Sequence, residues 1–186
     1  MPLYIISTPI GNLKDISFRA VEVLASVDYI LCEDTRVTGK LLRVYDIGKK
    51  MVSFNDFNEQ KMIVSVVGEL QKGASIALVS DAGTPLISDP GYKLVREAIL
   101  AGIKIESIPG SSAVISALTV SGLPTDKFMF VGYLSKKDGK RKSVLVALKK
   151  IDEIVKTTFI IYESPFRVLK TLEAIKEVFG DTSVVV

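Results

Sequence analysis

Short apolar runs, loops of small residues, and apolar positions spaced three and four apart follow one another along most of this chain. The short runs predict buried strands, and the three-and-four spacing predicts helices packed on them. Leu3 to Ser7 reads as a first strand, and Thr8-Pro9-Ile10-Gly11-Asn12 breaks it. Phe18, Val21, Leu24 and Ala25 then mark a helix, with Ser17 or Asp15 as its cap. Tyr29–Cys32 is a second strand, closed by Glu33-Asp34-Thr35-Arg36. A short helix around 40–45 and an extended segment 51–54 follow. Residues 58–71 form a longer helix with Met62, Val66, Val67 and Leu70 inward and Gly73 past its end. Next come a strand at 75–79, a loop at 80–91 and a helix at 92–101 that stops at Gly102. Ile103 to Ile108 alternates with period two and is a strand. Ser111 is positioned to cap a helix over 112–120.

Ser121-Gly122-Leu123-Pro124-Thr125 interrupts the pattern, so the domain boundary is expected there, dividing 1–120 from 121–186. The second part reads as a strand at 128–133, a basic loop at 134–142, a helix at 142–150, a strand at 157–162, a helix at 165–178 and a last strand at 182–186. Strand and helix in regular alternation predict an α/β protein. The second domain is short, and a strand closing the chain has nothing after it to pair with. The expectation is a truncated second domain, or an edge completed by a partner.

Composition narrows the chemistry. Hydrophobic residues make up 48% of the 186, ample for a core, yet no apolar run reaches the length of a membrane span. The amino-terminal residues lack a basic segment and run directly into a strand, so a signal peptide is not expected. A single cysteine, Cys32, fits a reducing cytoplasm. The chain has no histidine, which excludes the usual zinc sites, Ser-His catalysis and a histidine base. Charge is uneven. Residues 1–110 hold 12 Lys/Arg against 13 Asp/Glu, and residues 111–186 hold 12 against 8. The excess gathers at Lys136, Lys137, Lys140, Arg141, Lys142, Lys149 and Lys150, which points to a polyanionic substrate or, alternatively, to a solvated face.

Candidate chemistry sits at the ends of strands, where open α/β sheets bind ligands. The loop Ser80-Asp81-Ala82-Gly83-Thr84-Pro85-Leu86-Ile87-Ser88-Asp89-Pro90-Gly91 holds two Gly, two Pro and two Asp, more special residues than a plain turn needs. Thr8–Asn12 stands where a dinucleotide-binding turn would, but neither Gly-x-Gly-x-x-Gly nor a Walker pattern is present, so a nicotinamide or ATP site is not expected. Glu33-Asp34-Thr35-Arg36 sets two repelling acids beside a guanidinium that can neutralise them or grip a phosphate. Pro109-Gly110-Ser111-Ser112-Ala113 and Tyr162-Glu163-Ser164-Pro165-Phe166-Arg167 are further strand-to-helix turns.

Four segments, matched in order and spacing, carry a family resemblance: Ser7–Leu13, Glu33–Arg36, Ser80–Pro85 with Ser88–Gly91, and Ser121–Asp126. Over essentially the whole chain they resemble the ribosomal RNA small subunit methyltransferase I family of the tetrapyrrole methylase superfamily. The resemblance implies two α/β domains with S-adenosylmethionine (SAM) in the cleft between them, a cytoplasmic homodimer, and methylation of the ribose 2′-hydroxyl of a decoding-region cytidine in 16S rRNA. By the same resemblance, Thr8, Pro9, Ile10 and Gly11, then Asp81, Ala82, Gly83, Thr84 and Pro85, then Ser111, Ser112 and Ala113 line the SAM pocket, with Tyr162. Glu33–Arg36 and Tyr162–Arg167 border the substrate side. Without histidine, the candidate bases are Glu33, Asp34, Asp81 and Glu163, or a water between them. The paired Glu33 and Asp34 come first, with Arg36 on RNA phosphate. Arg36, Lys136, Lys137, Lys140, Arg141, Lys142 and Arg167 are assigned to RNA. The chain departs from the family in three ways. Phe166 and the Phe57-Asn58-Glu59 region lack the histidines members often carry. Ser111 replaces a Pro-Gly-Pro-like turn. Members usually continue well past residue 186. Two rival readings stand beside this one: a SAM-dependent enzyme acting on a tetrapyrrole or other small molecule, and a non-catalytic ribosome- or RNA-binding protein.

Overall fold

The structure, a computed structural model, describes residues 2–186 and divides into two compact units, one running to Ala113 and one from Val114 to Val186. In the first unit β1 (Leu3–Ile6), β2 (Tyr29–Cys32), β3 (Lys50–Ser53), β4 (Ile76–Leu78) and β5 (Ile105–Ile108) alternate with α1 (Phe18–Ser26), α2 (Thr35–Val44), α3 (Glu59–Gln71) and α4 (Tyr92–Leu100). The five strands form one sheet in the order β3-β2-β4-β1-β5, and every pairing is parallel.

Alternation along each strand splits the core in two, because successive side chains leave opposite faces. Leu3, Ile5, Tyr29, Leu31, Ile76 and Leu78 face α3 and α4, against Ile63, Val66, Leu70, Leu94 and Ala98. Ile6, Ile30, Cys32, Ala77, Val79 and Ile108 face α1 and α2, against Ala20, Leu24 and Leu42. Covering both faces explains why β2 and β4 are buried at every residue and read as unbroken apolar runs. Ser17 caps α1 by accepting from the Ala20 N–H at 3.1 Å.

The strand order fixes where a ligand site belongs. The connections from β1 and β2 lead toward the β3 edge, whereas that from β4 leads to β5 at the other edge. The carboxyl ends of β4 and its neighbours β1 and β2 therefore form the topological switch point of the sheet.

The second unit holds α5 (Ala113–Val120, its first residue shared with the boundary), β6 (Phe128–Tyr133), α6 (Asp138–Ile154), β7 (Thr158–Tyr162) and α7 (Val168–Phe179). β6 and β7 pair in parallel, with a bulge between Phe130 and Gly132 where Gly132 takes φ 73°. Leu134, Leu145 and Leu148 pack with Phe159, Ile161, Ile175 and Phe179 to form its core.

Several expectations are corrected. The segment read as a basic loop is largely helix, since α6 starts at Asp138, whose carboxylate suits a helix amino terminus. α2 starts at Thr35 rather than near residue 40, because Asp34 caps it. α7 starts at Val168, after a turn containing Pro165. Residues 182–186 form no strand. Val184, Val185 and Val186 are exposed and flank a cavity of about 840 Å³ along β7, for apolar character without a hydrogen-bonded neighbour does not make a strand. No helix of the described residues is long and apolar enough to cross a membrane.

Candidate active site

Three loops converge at the switch point, and short hydrogen bonds join them. Thr8 and Gly83 pair as an isolated bridge, with N–H to carbonyl distances of 2.9 and 3.0 Å. The Thr8 hydroxyl donates to the Ser80 carbonyl at 3.1 Å. The Ser7 and Thr84 hydroxyls lie 3.0 Å apart, and the Thr84 hydroxyl donates to the Ser111 carbonyl at 3.2 Å. The loops after β1, β4 and β5 thus hold one another. Thr8, Pro9 and Pro85 are buried, so they build the frame, while Ile10, Gly11 and Ala82 present the exposed surface. Ser112 and Ala113 are half-buried beside this frame in sequence. Gly110 lets the two loops approach closely: a Cβ on it would lie 3.0 Å from that of Ser7.

The loop after β4 is under backbone constraint as well. Gly83, Leu86, Ser88 and Gly91 all take positive φ, which is uncommon for Leu and Ser. A Cβ on Gly91 would come within 2.6 Å of Leu78 Cδ2. The loop's far end is tied down by buried Glu59, which accepts from the Gly91 N–H at 3.0 Å and pairs with Lys93 at 3.2 Å.

Beside this frame, the ends of β2, β3 and β4 surround a cavity of about 360 Å³ lined by Glu33, Asp34, Ser53, Asn55, Phe57 and Asp81. The two leading acids have different roles. Asp34 caps α2, accepting from the Arg36 N–H at 2.8 Å, and its carboxylate is gripped by the Arg36 guanidinium at 2.5–3.1 Å. Arg36's side chain and backbone bonds hold the Asp34 carboxyl at about 2, below the usual 3.8. Asp34 is therefore a fixed anion, poorly suited to accept a proton. Asp81 accepts from the Asp34 N–H at 3.0 Å and ties β4 to the start of α2. Glu33 differs from both: its carboxylate has no hydrogen bond or ion pair among the described residues. Burial raises its pKa, and the negative charges of Asp81, Asp89, Asp56 and Asp34 raise it further. Asp89 is raised in the same way, first by burial, with the Ser80 hydroxyl opposing and Asp81 and Asp56 adding. A half-buried carboxylate of raised basicity beside a fixed anion and a guanidinium is equipped to accept a proton from an alcohol.

The larger cavity along β7 is lined mainly by apolar side chains and belongs to the open edge of a two-stranded sheet; the acids gather at the smaller one. Among the described residues no cluster could hold a metal ion.

The second unit's assigned residues fare unevenly. Tyr162 ends β7 and packs edge-on against Phe130 and Tyr133, at 4.8 and 5.6 Å between ring centroids. Arg167 donates to the Leu134 carbonyl at 2.9 Å and pairs with Glu163 at 3.1 Å, so it cross-links its own unit. Burial tends to raise Glu163, but the Thr171 hydroxyl, the Ser164 N–H, Arg167 and Arg141 outweigh it and hold the carboxyl low. Arg141, assigned to RNA as part of a loop, is only 4% exposed on α6 and bonded to Asp138 at 2.9 Å; it points inward because its helix position faces the core. Lys136, Lys137, Lys140 and Lys142 remain exposed, with Lys142 paired to Glu177. The sequence reading missed Ser53, Asn55 and Phe57 as cavity residues. Their position at the carboxyl end of β3 was the available signal.

Comparison with known proteins shows the family. Residues 2–186 match the family model of Tetrapyrrole (Corrin/Porphyrin) Methylases. The chain is 52% identical to Ribosomal RNA small subunit methyltransferase I of Vibrio cholerae over 178 residues, covering 96% of this chain and 60% of that one. It is 47% identical to the protein of the same name from Thermotoga maritima, covering 98% of this chain and 80% of that one. The chain thus spans about three fifths of the first of these relatives. A crystal structure of diphthine synthase superposes with a TM-score of 0.71 at 18% identity, covering 95% of this chain and 72% of that one, a likeness of fold. On sequence and fold together, the chain belongs to the tetrapyrrole methylase family, among the relatives named Ribosomal RNA small subunit methyltransferase I.

Proposed function

We propose that this chain carries a SAM-dependent methyltransferase activity directed at the ribose 2′-hydroxyl of a decoding-region cytidine in 16S rRNA, acting in the cytoplasm as a homodimer. The observation that carries the reading is the pairing of Glu33 with the stitched loops at one switch point, in a chain 52% identical to an enzyme named for small-subunit rRNA methylation. The residues fit the cofactor. Small side chains and glycines keep the frame open, with a Cβ on Gly83 already 3.3 Å from Ile10 Cγ2, and the acids Asp81 and Asp89 suit a cationic ligand rich in donors. Thr8–Gly11, Asp81–Pro85 and Ser111–Ala113, all at one switch point of the first unit, would hold it. When bound, SAM supplies an electrophilic methyl carbon.

The chain's own tasks are then positioning and proton removal. Glu33 would take the 2′-hydroxyl proton, freeing the oxygen to receive a methyl group whose bond to the cofactor's sulfur breaks as a neutral thioether leaves. Asp34 holds α2 and orients Arg36, and the outward face of Arg36 is available to an RNA phosphate. Exposed Lys136, Lys137, Lys140 and Lys142 supply further backbone contacts.

The test is transfer of labelled methyl from SAM to small ribosomal subunits that lack native ribose methylation, followed by RNase mapping. Label on the ribose of a decoding-region cytidine is expected. Label on a base, or transfer to a tetrapyrrole in place of RNA, would overturn the reading.

A further inference from the structure

Three phenylalanines are almost fully exposed: Phe18 at 91%, Phe57 at 95% and Phe166 at 99%. Single exposed rings need no special account. Phe57 is distinguished by its setting, since it alone of the three lines the acid cavity with Glu33. Its backbone is also tied into a hydrogen-bonded turn. The Asn55 side chain accepts from the Phe57 N–H at 3.1 Å, and the Asn58 side chain accepts from the Asn55 N–H at 2.8 Å and donates to the Ser53 carbonyl at 2.9 Å. Backbone bonds from Asn58 and Glu59 to the Asn55 carbonyl, at 3.1 and 2.8 Å, close the turn. A hydrogen-bonded turn that offers a ring to solvent adds little to the core, and its backbone is already ordered for any contact the ring makes.

Charge then selects the occupant. Glu33, Asp34 and Asp81 line the cavity, with Arg36 the cation bound at its edge. A phosphate is repelled there. A neutral group with a flat π-face and N–H or O–H donors is not, and a nucleoside meets that description at both base and ribose. We propose that Phe57 is a stacking platform for the nucleobase whose ribose is presented to Glu33, making it a positioning residue for RNA. This inference rests on the RNA-methylation reading and deepens it.

The chain contains no tryptophan, so Phe57→Trp introduces one fluorophore at the site, and Phe18→Trp gives a control in the same unit. Titration with a cytidine-containing single-stranded RNA oligonucleotide should quench the Phe57→Trp emission saturably and leave Phe18→Trp unchanged. Absence of quenching, or equal quenching of both, would overturn the proposal. In methyl transfer to small subunits, Phe57→Ala should raise KM about 5- to 150-fold, the range of one lost base stack, and Phe57→Trp should restore it. SAM affinity and the unfolding midpoint should stay at parental values. Parental KM in Phe57→Ala would overturn stacking while leaving the methyltransferase reading intact. If the parent chain methylates no RNA, that reading fails on its own, and the fluorescence titration still decides the role of Phe57.

Discussion

Glu33 and Asp34 are neighbours in sequence with opposite electrostatic fates, so they predict opposite phenotypes. Glu33→Gln keeps the shape and removes the proton acceptor. Methyl transfer should fall about 10²- to 10⁴-fold while calorimetric SAM affinity is unchanged. The active form is the deprotonated one, so the parent's rate should fall on acidification, with its acid limb above the ordinary 4.5 of glutamate. Stability runs the other way. A carboxylate whose folded pKa is raised stabilises the fold most in its protonated form, and that contribution disappears as pH rises through the folded value. Glu33→Gln, neutral at every pH, should therefore unfold at or above the parent's midpoint at pH 7. A variant losing rate and stability together would mark a structural role. Asp34 has its pKa lowered to about 2, so its contribution is complete above 3.8 and is lost only as pH falls through about 2. Asp34→Asn retains a good cap and should keep α2 by circular dichroism, whereas Asp34→Ala should fray it and lower the unfolding midpoint.

At the level of elements, the loop after β4 depends on Gly91, where a Cβ meets Leu78 at 2.6 Å with φ at 123°. Gly91→Ala should cost about 2 kcal/mol or more in urea unfolding at unchanged slope, whereas Gly48→Ala, with open space around it, should cost almost nothing. The same elements show what sequence could and could not convey. Tyr29–Cys32 was legible because a strand buried on both faces must be apolar throughout. The ligand loops were legible because Gly, Pro and Asp at strand ends follow from their backbone needs. Asp34-Thr35-Arg36 was read as chemistry when half of it is helix capping, since one carboxylate serves either purpose and only geometry distinguishes them. Glu59 was invisible for a related reason: a glutamate at a helix start ordinarily faces water, and its burial depends on Gly91 and Lys93, distant in sequence. Residues 182–186 have strand-like composition, but pairing is a property of two segments.

For the molecule as a whole, charge is divided between acids around one cavity and lysines on the second unit, and the lysine-rich segment can be dissected because its residues are not equivalent. Lys136, Lys137 and Lys140 are exposed, whereas Arg141 is buried, with Nε lacking any hydrogen-bond partner. Counterion release makes RNA affinity depend on the number of neutralised phosphates, so each engaged lysine adds roughly one to the slope of log affinity against log salt. Replacing Lys136, Lys137 and Lys140 together by Gln should lower that slope by about 2–3 and leave the unfolding midpoint in place. Arg141→Gln should do the reverse. It removes a buried cation bonded to Asp138 that adds, after Thr171, Ser164 and Arg167, to holding the Glu163 carboxyl low, so the midpoint should fall while the slope stays. Filter binding across a salt series, paired with thermal unfolding of both variants, separates the outcomes. A flattened slope in Arg141→Gln at parental stability would show that the arginine turns outward to meet RNA, and an unchanged slope in the triple variant would return these lysines to the solvated surface.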